Sequence, residues 1–193
     1  MRILNAIAMA TMVMVMVMVS AADAQTMDGQ MMDHSKMDHS AHMAMMADAQ
    51  RQSEVANRGK DVMPFTLAAT THIFTKDAQG GIQRVVAKKS SNTAQVKLVR
   101  KHLQEIREQF LQGDFSGPSH IHGQDMPGLA ALKAATPGQI DIAYKDIKGG
   151  AELRYNTPNA TLVAALHQWF DAQLSDHGKD AMEGHTHADM MKP

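Results

Sequence analysis

The chain has no cysteine. That excludes thiolate metal sites, c-type haem attachment, redox dithiols and a lipid-modified cysteine anchor. It does not exclude an exported domain, because a chain of 193 residues can build a core without disulfides. Charge of one sign is missing too. Lys and Arg number 19 against 20 Asp and Glu, for a formal net charge of −1, so a nucleic-acid surface is not expected. Aromatic residues are few, with one Trp, two Tyr and five Phe, which leaves little lining for a large planar cofactor. Beyond residue 24, no apolar run approaches the ~18 residues of a membrane span. No stretch carries the Gly-x-Ser-x-Gly elbow, the Walker loop, the dinucleotide glycine fingerprint or His-Glu-x-x-His.

What the chain has instead is methionine and histidine, 18 of one and 11 of the other. Six of the methionines fall in residues 1–24. There Arg2 precedes the apolar run Ile3 to Val19, and Ala22-Asp23-Ala24 offers a small-residue cleavage site. Residues 1–24 therefore read as a secretory signal peptide cut before Gln25, and the mature protein as periplasmic. Residues 25–61 lack apolar periodicity, so the sequence predicts a disordered arm. Inside it, residues 32–43 read MDHSKMDHSAHM, with Met-Asp-His-Ser twice, five residues apart. Its donors are His34, Met37, His39, His42 and Met43. Thioethers favour Cu(I), while imidazole accepts Cu(II), zinc and nickel, so such an arm can hold copper in either oxidation state without thiols. The bland reading is a low-complexity linker with incidental histidines. Residues 181–193 repeat the pattern in miniature with His185, His187, Met190 and Met191, or are simply a frayed end.

Residues 62–180 read as one folded domain. Phe65 to Phe74 is β-branched and aromatic enough for a strand, Lys76 to Gly81 for a turn, and Ile82 to Lys88 for a second strand. Asn92 or Thr93 caps a helix to about Gln112, with Val96, Val99, Leu103, Ile106 and Phe110 as its stripe and Gly113 as its stop. A short helix over residues 127–134 follows. Ile140 to Tyr144 is then a strand, Lys145 to Gly150 a turn and Ala151 to Asn156 a strand. Thr157 caps a last helix with Pro158 at its first position and Gly178 as its stop. Lys-Asp-x-x-Gly-Gly occurs at 76–81 and again at 145–150, followed each time by a strand, a polar turn and a helix bearing a histidine. This predicts an internal repeat and an α+β fold: two β-hairpin–helix units forming a four-stranded antiparallel sheet with two helices on one face.

Between the halves lies Phe115 to Leu129, FSGPSHIHGQDMPGL. Its glycines and prolines predict an ordered loop or short extended piece. There His120 and His122, two residues apart, would point the same way, with Met126 close by. Two imidazoles and a thioether suit copper, and His72, His102 or His167 would complete the set. Asp171 or Glu105 would orient an imidazole from behind. Taken singly, His102 and His167 read first as hydrogen-bonded core residues and only second as ligands. His177, at a helix end, reads as a cation suited to the dipole. Zinc is the alternative ion, and haem between His102 and His167 the alternative cofactor.

The core resembles a family of small exported bacterial proteins. The match rests on Thr70-Thr71-His72-x-Phe74, Arg100-x-His102-Leu103, Ile121-His122-Gly123-x-x-Met126-Pro127-Gly128-Leu129, and Ala165-Leu166-His167-x-Trp169-Phe170-Asp171-Ala172-Gln173 through Asp176-His177-Gly178. Members often carry an aspartate carbamoyltransferase label, and the resemblance implies a metal-resistance setting. The chain has no Ser-Thr-Arg-Thr phosphate loop, so that label's activity is not carried over. The Met/His arm is similar to those of periplasmic copper-resistance proteins. The expectation is a periplasmic copper-binding protein that sequesters copper or hands it to other periplasmic copper-handling proteins. The alternatives are a metal-dependent enzyme built on the core histidines and a non-covalent haem carrier.

Overall fold

The computed structural model describes residues 39–185. Residues 1–24, expected to be a signal peptide, together with His34, Met37 and the chain beyond His185, lie outside the described residues.

The described chain opens not with a disordered segment but with helix α1, His39–Val62. It carries little apolar periodicity, and Val55 is its one fully buried large side chain. Polar contacts to distant parts of the chain hold it, which is why the local pattern does not announce it. After a 3-10 turn come strands β1, Thr70–Asp77, and β2, Gly80–Ala87. Helix α2, Thr93–Leu111, is capped by Asn92, whose side chain accepts from the Gln95 amide. Two short helices follow, α3 at Ser116–His122 and α4 at Leu129–Ala134. Strands β3, Asp141–Ile147, and β4, Gly150–Asn156, lead into helix α5, Ala160–His177. Its cap is Asn159 rather than Thr157, accepting from the amides of Thr161 and Leu162. A last strand, β5, covers Ala181–Glu183.

The architecture is α+β. Its sheet, however, is five-stranded and mixed, in the order β3-β4-β2-β1-β5. The first four strands pair antiparallel, while β5 adds a short parallel edge against His72–Phe74. That edge is missed in the sequence because three residues carry no readable period. The repeat is also inexact. The first hairpin turns on Ala78-Gln79 and the second on Lys148-Gly149, one position later in the shared Lys-Asp-x-x-Gly-Gly pattern. What the glycines share is close approach: a Cβ on Gly81 would lie 2.4 Å from the Thr75 carbonyl oxygen, and one on Gly150 1.9 Å from that of Val85.

Helices α2 and α5 lie on one face of the sheet, α2 over β2, β3 and β4, and α5 over β1, β2 and β5. Between them and the sheet is the core. Seven of the eight aromatic residues are buried in it, all but Tyr144. Trp169 is their centre, with Phe110, Phe115, Tyr155 and Phe170 each within 6.2 Å ring to ring. Fully burying such side chains contributes roughly 1.5–3 kcal/mol each. Among the described residues, no helix is long and apolar enough to cross a membrane.

Candidate functional site

The first half of the central stretch is a helix, α3, and not an extended loop, while residues 123–128 form the turns that lead to α4. Pro118 falls in the first turn of α3, where amide hydrogens have no intrahelical acceptor, so the missing N–H costs nothing. Gly123, at φ 95°, ends the helix. At about 3.6 residues per turn, residues i and i+2 point about 200° apart. His120 and His122 therefore part company. His120 faces solvent, with its side chain 52% exposed and Nε2 3.2 Å from Asp61. The His122 side chain is 2% exposed and turns inward.

His122 Nδ1 lies 2.8 Å from Asp176 Oδ2. Arg51 of α1 donates to the same carboxylate through Nη2, at 2.8 Å, and through Nε. Arg51 also reaches the His122 carbonyl, and Arg58 the Ile121 carbonyl, so two α1 arginines satisfy carbonyls left open at the end of α3. Burial pushes the Asp176 carboxyl up, but the hydrogen bonds from His122 and Arg51 outweigh it and hold the group below its ordinary value. An ionised carboxylate only accepts, so His122 Nδ1 carries a proton, and in the neutral ring Nε2 keeps its lone pair.

Three more histidines are gathered on the inner side of α3. His177, at the end of α5, meets His122 edge to face, with ring centres 5.1 Å apart and planes at 89°. His72, on β1, stacks on His177 at 4.7 Å with planes 10° apart. Phe65 separates His72 from His102, touching both rings. All four line one cavity of about 40 Å³, together with Met63, Gln83, Trp169 and Gln173. Burial lowers His72 to about 4, with repulsion from His102 and His122 adding to it. His102 falls to about 4 by burial, which outweighs the opposing pull of Glu105, and His177 is lowered well below its ordinary value by burial and then by His72 and His122. These three rings are therefore neutral near pH 7.

Three buried nitrogens on the cavity wall have no hydrogen-bond partner in the protein: His72 Nδ1, Trp169 Nε1 and Gln173 Nε2. Leaving a buried polar group unpaired costs about 1–3 kcal/mol. A space of this size and polarity admits water or a small ligand.

Comparison with family models, curated proteins and solved structures gives no match.

Of the core ligands expected from the sequence, the structure brings His72, His102 and His122 to one cavity and leaves the others elsewhere. His167 Nε2 lies 3.0 Å from the carbonyl oxygens of Asp77 and Gly80, pinning the first hairpin turn, so it does not share a space with His102. Met126 is buried but off the cavity wall. Asp171 pairs with Lys76 and Glu105 with Lys101, so neither orients an imidazole. That role falls to Asp176. His177 joins the cluster instead of standing as a helix-end cation. The sequence carries a signal for both: Trp169, Gln173, Asp176 and His177 continue the buried face of α5 at helical spacing. Among the described residues, no three His, Asp or Glu side chains already converge on a metal position.

The arm's donors are placed differently. His39, His42 and Met43 lie on the first turns of α1, all exposed. Met46 joins them at the same spacing, so His39 with Met43 and His42 with Met46 are i, i+4 pairs, about 5–6 Å apart at Cβ.

Proposed function

We propose that this protein is an exported copper-binding protein, which captures copper through its Met/His segment and either sequesters it or hands it on in a metal-tolerance role. The observation that carries the reading is the composition of the exposed start of α1. The large apolar side chains left exposed among the described residues are Met43, Met45, Met46 and Met182, all methionine. Three of them follow His39 and His42 within seven residues of His39. A helix exposed on every side ordinarily carries charged or polar residues there, so thioethers facing water call for another use. Two imidazoles with two thioethers on one stripe form a donor set suited to Cu(I), with Cu(II) accepted through nitrogen. The Met-Asp-His-Ser repeat extends the same donors N-terminally through His34 and Met37.

The test is a competition titration of the full mature chain with Cu(I) under reducing conditions. At least one Cu(I) should be taken up, and His39→Ala, His42→Ala, Met43→Leu and Met46→Leu together should weaken that binding by about tenfold or more, a change of about 1.4 kcal/mol. Unchanged affinity in the fourfold variant would remove α1 from the reading. No uptake by the full chain would end it.

A further inference from the structure

We propose that the buried histidine cluster is a second metal site, for Cu(II) or another borderline divalent ion, held by ring nitrogens of His72, His122 and His177. The inference deepens the copper reading above and rests on it for the identity of the ion. The site's residues are distinct from those of the α1 stripe.

His122 is prepared as a ligand. Its Nδ1 is bound to Asp176, itself held by Arg51, and this leaves Nε2 as the coordinating atom. A buried carboxylate behind an imidazole is the usual support of a metal-bound histidine. His72 Nδ1 is buried, unpaired and on the cavity wall, so it too has a lone pair or proton without a partner. His177 sits between them, 5.1 Å from one ring centre and 4.7 Å from the other. The adjoining cavity of about 40 Å³ is large enough for an ion with a water. Met63 on the same wall adds a thioether, which favours copper over zinc.

The stack of His72 on His177 explains why the donors do not yet converge. Imidazole lone pairs lie in the ring plane, and planes 10° apart and 4.7 Å separated do not meet on one ion. Binding therefore requires one of the two rings to turn about its Cβ–Cγ bond, a rotation with broad, shallow preferences. Loading should break the stack and keep the His122–Asp176 hydrogen bond.

The experiment uses the full mature chain with His34, His39, His42, His185 and His187 replaced by Ala, so that only core histidines remain. Cu(II) alone is the probe, followed by electron paramagnetic resonance and by histidine-ring NMR. The expected result is one Cu(II) per chain with coupling to at least two nitrogens. At substoichiometric copper, the ring signals of His72, His122 and His177 should broaden first while those of His120 and His167 stay sharp. Asp176→Asn should weaken binding by about 10–100-fold, as loss of an outer-shell partner does, and His120→Ala should leave it unchanged. Lack of Cu(II) binding by this chain, or first broadening at His120 or His167, would overturn the proposal. The NMR readout needs no core substitution, so a variant that fails to fold leaves the test intact. Copper uptake by the unaltered chain together with none by the five-histidine variant would leave the α1 reading standing and remove this one.

Discussion

Histidine is used in two opposite ways in this chain. At the start of α1, His39 and His42 stand in water beside methionines, on a helix segment with no buried residue before Val55. In the core, His72, His102, His122 and His177 are walled in by α2, α3, α5 and the sheet. An exposed donor stripe places few demands on the rest of the fold, so composition alone can specify it. A buried cluster must be supported by the fold, through the Asp176–Arg51 pair, the stacked rings and the lowered proton affinity of three imidazoles. The exposed imidazoles and thioethers at the start of α1 and the buried rings that the fold supports thus lie in separate parts of the molecule, linked through the rest of α1 by Arg51, Gln52, Val55 and Arg58.

Acid should break the comparison most sharply. His72 and His102 titrate near 4 in the folded protein and near 6.5 when unfolded. Between those values the unfolded chain binds more protons, so stability is full above about pH 6.5 and falls as pH drops toward 4. At about 1.4 kcal/mol per unit the loss is roughly 3 kcal/mol for each ring, a large share of the 5–15 kcal/mol typical of a domain. Urea denaturation of the metal-free protein across that range should show a falling midpoint. A flat profile would mean that the core rings are not held neutral.

Asp176→Ala comes next. It removes the hydrogen bond of His122 and leaves Arg51 without its partner. His122 is deeply buried while Arg51 is half exposed, so most of the loss comes from the unpaired ring and should reach about 2–3 kcal/mol. Arg51→Met should cost less, about 1 kcal/mol, since its outer side is already in water. Equal effects of the two in urea denaturation would place the weight of the network on α1 rather than on His122.

The smallest effects belong to the exposed histidines. His120→Ala should change the stability of the metal-free protein by less than about 0.5 kcal/mol, against several times that for His122→Ala. The fourfold α1 variant should be equally silent in denaturation while losing Cu(I). A destabilised α1 variant would show that the stripe packs against the fold after all.

Much of the scaffold was legible in the sequence because it is local. Asn92, the stripe from Val99 to Phe110 and Gly178 act within one helix, and each does what its neighbours require. Helix α1 was not legible, since its anchors, Arg51 to Asp176 and Arg58 to Ile121, join residues far apart in the chain. The candidate site was half legible. His72, His102 and His122 were found as histidines. His120 groups with His122 in the sequence because the glycines and prolines of residues 117–128 read as an ordered loop or short extended piece, where alternate residues share a side, whereas Gly117 and Pro118 fit the first turn of a helix. His177 reads as a helix-end cation because a helix end offers a ready structural reason for a basic residue, and Asp176 goes unmarked because its partners, Arg51 and His122, lie far away in the chain.

The most direct test of the capture claim is copper-edge X-ray absorption of the full mature chain loaded with one equivalent of Cu(I). The expected result is a mixed shell of sulfur and nitrogen neighbours whose sulfur part falls when Met43 and Met46 become leucine. A shell of nitrogen and oxygen alone, unchanged by those substitutions, would contradict it.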